Sequence, residues 1–235
     1  MTVSIDPQRA RRLGSVRRLV VKIGSSSLTG SDGQLHRPTI RRLVTDLVAL
    51  REQGREVVLV SSGAVAAGMG RLGLADRPKA IAELQAVAAV GQNLLVHTYE
   101  SLFRRHGVPV GQVLLTAGDI LDDRQRYNHL HNTFRQLFAL GVVPVINEND
   151  SVAVAELRQS LGDNDMLAAY VANLVQAQLL VVLSDVEGVY RRYVGGRGEE
   201  LISEIRTGDE VDASGGGSKL GRGGMETKLR AARLL

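Results

Sequence analysis

Four of the 29 basic residues in this chain are lysines, and two of those four sit in glycine-rich settings far apart in the sequence. Lys22 lies in Leu19-Val20-Val21-Lys22-Ile23-Gly24-Ser25-Ser26-Ser27, at the end of an apolar run. Lys228 closes Gly221-Arg222-Gly223-Gly224-Met225-Glu226-Thr227-Lys228, ahead of a helical stretch. Both settings suit phosphate. Glycine lets backbone N–H groups approach an anion closely, and a helix N-terminus adds partial positive charge. Lysine supplies a compact cation that can follow a moving phosphoryl group. Each lysine alone has a plainer explanation, Lys22 snorkelling from a strand end and Lys228 opening an exposed helix.

Between them lies a second set of residues with chemical potential. Asn147-Glu148-Asn149-Asp150 and Gly162-Asp163-Asn164-Asp165 gather short carboxylates and amides. Such groups can bind an ammonium, an amide donor or a metal-bound water. Asp163 also fits a helix N-cap, a role that needs one residue of the three. Competing motifs are absent or misplaced. The chain has no Gly-x-x-x-x-Gly-Lys-Ser/Thr string, no His-Arg-Asp or Asp-Phe-Gly, and no Gly-x-Ser-x-Gly. Gly68-Met69-Gly70-Arg71-Leu72-Gly73 matches Gly-x-Gly-x-x-Gly, but it starts several residues past the nearest strand instead of at a strand-to-helix turn.

The elements that would carry these residues are legible from periodicity. Apolar, β-branched runs without polar alternation recur at Leu19 to Ile23, Val57 to Val60, Val108 to Leu115, Val142 to Ile146 and Leu179 to Leu183. They read as strands buried on both faces. Helical stretches separate them, at Pro38 to Gln53, Pro78 to His106, Asp119 to Leu140 and Asp163 to Gln176. Pro38 and Pro78 suit first-turn positions, and Gly54, Gly107 and Gly141 suit positions just past a helix end. This alternation predicts a parallel sheet between two helix layers. In such a sheet ligands gather at the carboxyl ends of the strands, where Gly24-Ser25, Ser61-Ser62-Gly63-Ala64, Asn147 to Asp150 and Ser184-Asp185 all lie. Residues 186 to 224 break the pattern and predict either an excursion over the site or a hairpin.

Composition narrows the function classes. A length of 235 residues with 44% hydrophobic content supports a substantial core. No apolar run approaches a membrane span, and the first residues lack the apolar core of a signal peptide. Without cysteine there is no disulfide framework and no thiolate metal site. His129 and His131, spaced i,i+2, point to different sides of a helix, so a zinc site is not expected. The net charge of +4 is carried by Arg9, Arg11, Arg12, Arg17 and Arg18 against Asp6, in a basic arm over residues 1–17 and its junction with a domain at 18–235. No aromatics interleave those arginines, so nucleic acid is not an expected partner, and neither is a membrane.

Taken together, six segments resemble the amino-acid kinase family, and within it the glutamate kinases. They are Val21-Lys22-Ile23-Gly24-Ser25, Val60-Ser61-Ser62-Gly63-Ala64, Pro144 to Asp150, Gly162-Asp163-Asn164-Asp165, Leu183-Ser184-Asp185 and Gly223 to Lys228, in family order. The resemblance implies an α/β three-layer αβα sandwich with a mainly parallel central sheet. It implies ATP-dependent phosphorylation, with Mg²⁺, of the γ-carboxylate of L-glutamate to glutamyl 5-phosphate, the first step of proline biosynthesis, in the cytoplasm. By position, Lys22 and Lys228 match the family's phosphate-contacting lysines, and Asp165 matches the aspartate that orients them. Ser62, Asp150 and Asn164 match substrate-binding positions, with Gly63, Asn147 and Asp163 in the same pattern. Ser184, Asp185, Arg222, Gly223, Gly224, Met225, Glu226, Thr227 and Lys228 match nucleotide-binding positions, as does Lys22; no metal ligand is implied.

The family usually carries threonine where this chain has Arg222. Its kinase domain normally continues beyond the helix after Lys228, and many members add a C-terminal domain of the pseudouridine-synthase-associated type. The chain therefore reads as shortened there, without that RNA-binding-like domain. Proline as feedback inhibitor and a homo-oligomer are expected by the same analogy. The alternatives are another kinase of the superfamily, acting on acetylglutamate, aspartate, carbamate or uridylate, or a non-catalytic nucleotide-binding module. A nicotinamide-dependent oxidoreductase rests on the glycine match at 68–73 alone.

Overall fold

The computed structural model describes residues 6–30, 34–153, 164–194, 197–209 and 224–235. Five strands form the central sheet: β1 (Arg18–Ile23), β2 (Glu56–Ser61), β3 (Val110–Leu115), β4 (Val143–Glu148) and β5 (Leu179–Leu183). Their order is β3-β4-β2-β1-β5, and every pairing is parallel. The register aligns Lys22 with Val60 on one side and Val182 on the other, so the strand ends bearing the candidate residues share one edge of the sheet.

Helices cover both faces. On β1, Leu19, Val21 and Ile23 pack with α3 (Arg37–Glu52) and α5 (Ile81–Arg104), through Ile40, Val44, Leu47, Leu95, Tyr99 and Phe103. Val20, Val58 and Val60 pack on the other face with α7 (Arg124–Ala139) and α8 (Asn164–Leu174), through Phe134, Leu167 and Val171. Successive strand residues point to opposite faces, so Lys22 follows Val20 toward α8, while Ser61 follows Leu59 toward α5. The fold is the expected αβα sandwich. At the far edge Arg18 joins the layers. Its guanidinium is 2.6 Å from Glu56 Oε2, bonds the Val175 carbonyl, and stacks 4.5 Å over the Phe138 ring.

Several boundaries differ from the sequence reading, each for a local reason. The stretch from Asp119 to Leu140 is two helices, α6 (Ala117–Leu121) and α7. Thr116 and Asp119 form a capping box on α6, and Asp123 then caps α7 by accepting from the N–H groups of Gln125 and Arg126. Burial pushes the Asp119 carboxyl up, but the Thr116 hydroxyl, the Thr116 N–H and Arg126 together hold it below the ordinary value. The long helix α5 begins at Ile81, leaving Pro78 outside it, and Gly54, Gly107 and Gly141 do lie past helix ends with positive φ. Residues 7–14 form a short helix, α1 (Pro7–Gly14), with Asp6 accepting from Gln8 N–H. After β5, β6 (Val189–Val194) and β7 (Arg197–Ile202) pair antiparallel, the hairpin alternative. Among the described residues, no helix is long and apolar enough to cross a membrane.

The glycine match at 68–73 has a packing explanation. Residues 64–72 form α4 (Ala64–Leu72), missed in the sequence because glycines interrupt it, and Gly73 is its left-handed C-cap. A Cβ at Gly91 of α5 would lie 1.8 Å from the Ala64 carbonyl oxygen, and one at Gly68 would lie 1.9 Å from that of Val87. The two glycines let α4 and α5 touch backbone to backbone, a role unrelated to dinucleotide binding. Gly91→Ala must force the helices apart and is expected to cost about 1–3 kcal/mol, an overpacking penalty. Gly14→Ala, where a Cβ meets nothing within 4 Å, should change stability little. Urea unfolding of the two variants checks the contrast.

Candidate active site

Asp165 is the centre of the site. It lies in the first turn of α8, is 0% exposed, and its carboxylate meets two ammonium groups. Lys22 Nζ is 2.5 Å from Oδ1 and Lys228 Nζ is 2.9 Å from Oδ2. The Thr227 hydroxyl lies 3.4 Å from Oδ2 and donates to the Gly224 carbonyl at 2.8 Å. Burial makes each of these charges costly alone, so the carboxylate and the ammonium groups hold one another in place.

Each partner is placed by its element. Lys22 reaches α8 because strand alternation turns it that way, and Gly24 follows beside its ammonium. A Cβ at Gly24 would stand 3.7 Å from Nζ. Lys228 is carried by α9 (Met225–Arg233), which docks on α8 through small residues. Ala231 packs against Met166 and Ala169, so the helices approach closely enough for Lys228, one turn before Ala231, to reach Asp165, one turn before Ala169. Gly224 is the N-cap of α9 and, as a glycine, brings no capping side chain of its own. Met225 and Glu226 complete that first turn, with Glu226 exposed.

A polar relay runs beside this cluster. Asn164 Nδ2 donates to Ser62 Oγ at 2.7 Å and to Asn147 Oδ1 at 3.1 Å. Asn147 Oδ1 also accepts from the Glu148 N–H at 2.9 Å, and its Nδ2 donates to Gln92 Oε1 at 2.7 Å. Asn164 Oδ1 is buried and has no hydrogen-bond partner among the described residues. Gly63 makes the turn from β2 into α4 with φ 105°, a left-handed conformation that disfavours a side chain. Behind Ser62, Ser61 donates to the Ser62 carbonyl at 3.0 Å and meets the Tyr99 hydroxyl at 2.9 Å. Ser61 has a single proton, so Tyr99 donates to it. Burial pushes the Tyr99 phenol above its ordinary value despite the opposing Ser61 bond, so it stays protonated for that role.

The structure thus brings together Lys22, Asp165, Thr227 and Lys228, and beside them Ser62, Asn147 and Asn164. Asp150 follows β4 at the same sheet edge, half-buried. Ser184 and Asp185 are exposed just beyond β5, and their described bonding is to each other, with Ser184 Oγ 3.5 Å from Asp185 Oδ1, and not to the lysine cluster. Asp163, Arg222 and Gly223 lie outside the described residues. Ser61 entered the sequence reading only as part of the segment Val60 to Ala64, and Gln92 and Tyr99 did not enter it at all. The only signal of those two was the face on which they fall, since neither belongs to a recognisable motif.

Comparison with known proteins agrees on the family. The model of the amino acid kinase family matches residues 17–235. A glutamate 5-kinase of Ectopseudomonas mendocina is 53% identical over 227 residues, covering 95% of this chain and 60% of the relative. A glutamate 5-kinase of Pseudomonas paraeruginosa is 54% identical with the same coverage. One from Clostridium acetobutylicum is 45% identical over 230 residues, or 96% of this chain and 85% of the relative. The chain therefore spans about 60% of the length of the Pseudomonas-group relatives it matches.

The charge arrangement makes a stability prediction. Asp165→Ala leaves the Lys22 ammonium, 4% exposed, beside a second cation, and should cost about 3–5 kcal/mol. Lys228→Ala should cost well under that, because Lys22 still pairs the carboxylate. Urea unfolding midpoints at neutral pH distinguish the two.

Proposed function

The chain belongs to the amino acid kinase family, and from that premise we propose that it transfers the γ-phosphoryl group of ATP to the γ-carboxylate of L-glutamate, forming glutamyl 5-phosphate for proline biosynthesis. The observation that carries the reading is the pair of lysines held on one buried aspartate at the carboxyl edge of the sheet. Two ammonium groups held at fixed positions suit a phosphoryl group in transfer, whose negative charge spreads over its equatorial oxygens.

Lys22 and Lys228 would flank the in-line path, one stabilising the transferring group and the other the leaving oxygen of ADP. Asp165 keeps both ammonium groups at fixed positions, so little reorganisation is needed as charge moves. A glutamate carboxylate is ionised at neutral pH, so no general base is required. One carboxylate oxygen forms the new bond to the γ-phosphorus, the bond from that phosphorus to the β–γ bridging oxygen breaks, and no proton is exchanged.

The helix start at Gly224 and the ammonium of Lys22 beside Gly24 suit the nucleotide's phosphates. Thr227 stands in the same turn, and Ser184, Asp185, Arg222, Gly223, Met225 and Glu226 are assigned to the nucleotide by position. No three acidic or histidine side chains converge among the described residues. Mg²⁺ would therefore arrive on the phosphates, its usual partners, and supply charge neutralisation there. On the acceptor side Ser62, Gly63, Asn147, Asp150, Asp163 and Asn164 are proposed to bind glutamate. Asn164 Oδ1, with no partner among the described residues, is an acceptor of the kind an α-ammonium group seeks. A biosynthetic enzyme of this type would work in the cytoplasm. Proline inhibition and a homo-oligomer are proposed on family analogy.

Incubation with ATP, Mg²⁺, hydroxylamine and a panel of carboxylates tests the reading, because hydroxylamine traps acyl phosphates as hydroxamates. Product with L-glutamate is expected. Product with aspartate or acetylglutamate but not glutamate would reassign the acceptor, and nucleotide binding without turnover on any substrate would favour a non-catalytic module. Lys22→Ala and Lys228→Ala should each lower kcat on the order of 100-fold or more, as loss of a comparable electrostatic donor does.

A further inference from the structure

We infer that Gln92, on helix α5, is a positioning residue for the acceptor half of the site, acting through Asn147 to set which way the Asn164 amide faces. The inference rests on the glutamate-kinase reading and deepens it.

The orientation of the relay follows from one fixed donor. The backbone N–H of Glu148 can only donate, so the atom of Asn147 that meets it at 2.9 Å must be the carbonyl oxygen. Its amide nitrogen then points the other way, to Gln92, which must present its own carbonyl oxygen at 2.7 Å. The same Asn147 oxygen lies 3.1 Å from Asn164, so Asn164 presents its nitrogen there and to Ser62. The oxygen of Asn164 is left as a buried acceptor with no partner among the described residues. Donation thus runs from Asn164 to Asn147 to Gln92, whose carbonyl is the final acceptor that holds Asn147 in place.

Gln92 is well placed for this. It is 9% exposed, Asn147 is 3% exposed, and neither can readily exchange its partner for water. The neighbouring Gly91 is pressed on α4, where a Cβ would stand 2.3 Å from the Gly68 nitrogen. The helix therefore holds Gln92 at a fixed distance from β4. Asn147 and Ser61 face α5, while Ser62 and Asn164 lie on the α8 side, so the relay passes round the strand ends from one helix layer to the other. Without the Gln92 carbonyl, Asn147 cannot simply flip, because its nitrogen would then oppose the Glu148 N–H. It must turn away, and Asn164 loses one of its two anchors.

The test is steady-state kinetics on the wild-type chain and on Gln92→Met, which fills similar space without a strong acceptor, and Gln92→Glu, which keeps one. Gln92→Met should raise KM for L-glutamate about 10-fold, the scale of one buried hydrogen bond lost, with KM for ATP unchanged. Gln92→Glu should return KM for glutamate close to the wild-type value. Partial misfolding lowers kcat but leaves KM alone, so the split separates positioning from a structural role. Gln92→Leu serves the same comparison if the methionine variant does not fold. An unchanged KM for glutamate, an equal rise in both KM values, or a glutamate variant as impaired as the methionine one would overturn the role of Gln92. Failure of the wild-type chain to turn over glutamate would instead overturn the functional reading, and this inference with it.

Discussion

A fully buried carboxylate shared by two lysines sets the terms for the rest of this structure. Asp165 alone would be an intolerable charge in its setting, and Lys22, nearly as buried, would be another. Together with Lys228 they are mutually necessary. The cluster sits at the sheet edge where strand ends and helix starts converge. A buried ion cluster of this kind adds little to net stability compared with apolar packing. Its retention fits a site that must hold two cations still while negative charge moves past them.

Satisfying that constraint requires close approach from three directions, and small residues make each one possible. Strand alternation turns Lys22 toward α8, Ala231 and Ala169 let α9 settle on α8, and Gly68 and Gly91 let α4 and α5 touch. The last contact is remote from the lysines but fixes the turn at Gly63 and the position of Gln92. Core packing and polar geometry are therefore one problem here. A methyl group added between the two helices would displace a hydrogen-bond acceptor of the site.

Much of this was legible in the residues. The five buried strands were evident because β-branched runs between helix-stop glycines allow few alternatives, and the strand-end polar motifs followed from the parallel topology. The pairing of Lys22 and Lys228 on Asp165 was implied by family resemblance; spacing alone could not place residues more than 60 positions apart against each other. Helix α4 was hidden because glycines in a helix interior look like loop or ligand-binding glycines until their partner helix is known. Gln92 and Tyr99 were illegible for a related reason. Each is one polar residue on the buried face of an apolar helix, and its meaning lies wholly in the strand residue opposite.

The central claim is that Lys22 and Lys228, held by Asp165, form the two walls between which the phosphoryl group moves. A crystal structure of the chain with a non-hydrolysable ATP analogue, Mg²⁺ and L-glutamate tests it most directly. The account predicts both Nζ atoms within hydrogen-bond distance of phosphate oxygens, Asp165 still bridging them, and the glutamate γ-carboxylate in line with the γ-phosphorus. Phosphates bound away from this cluster, or either lysine turned from them in the ternary complex, would contradict it.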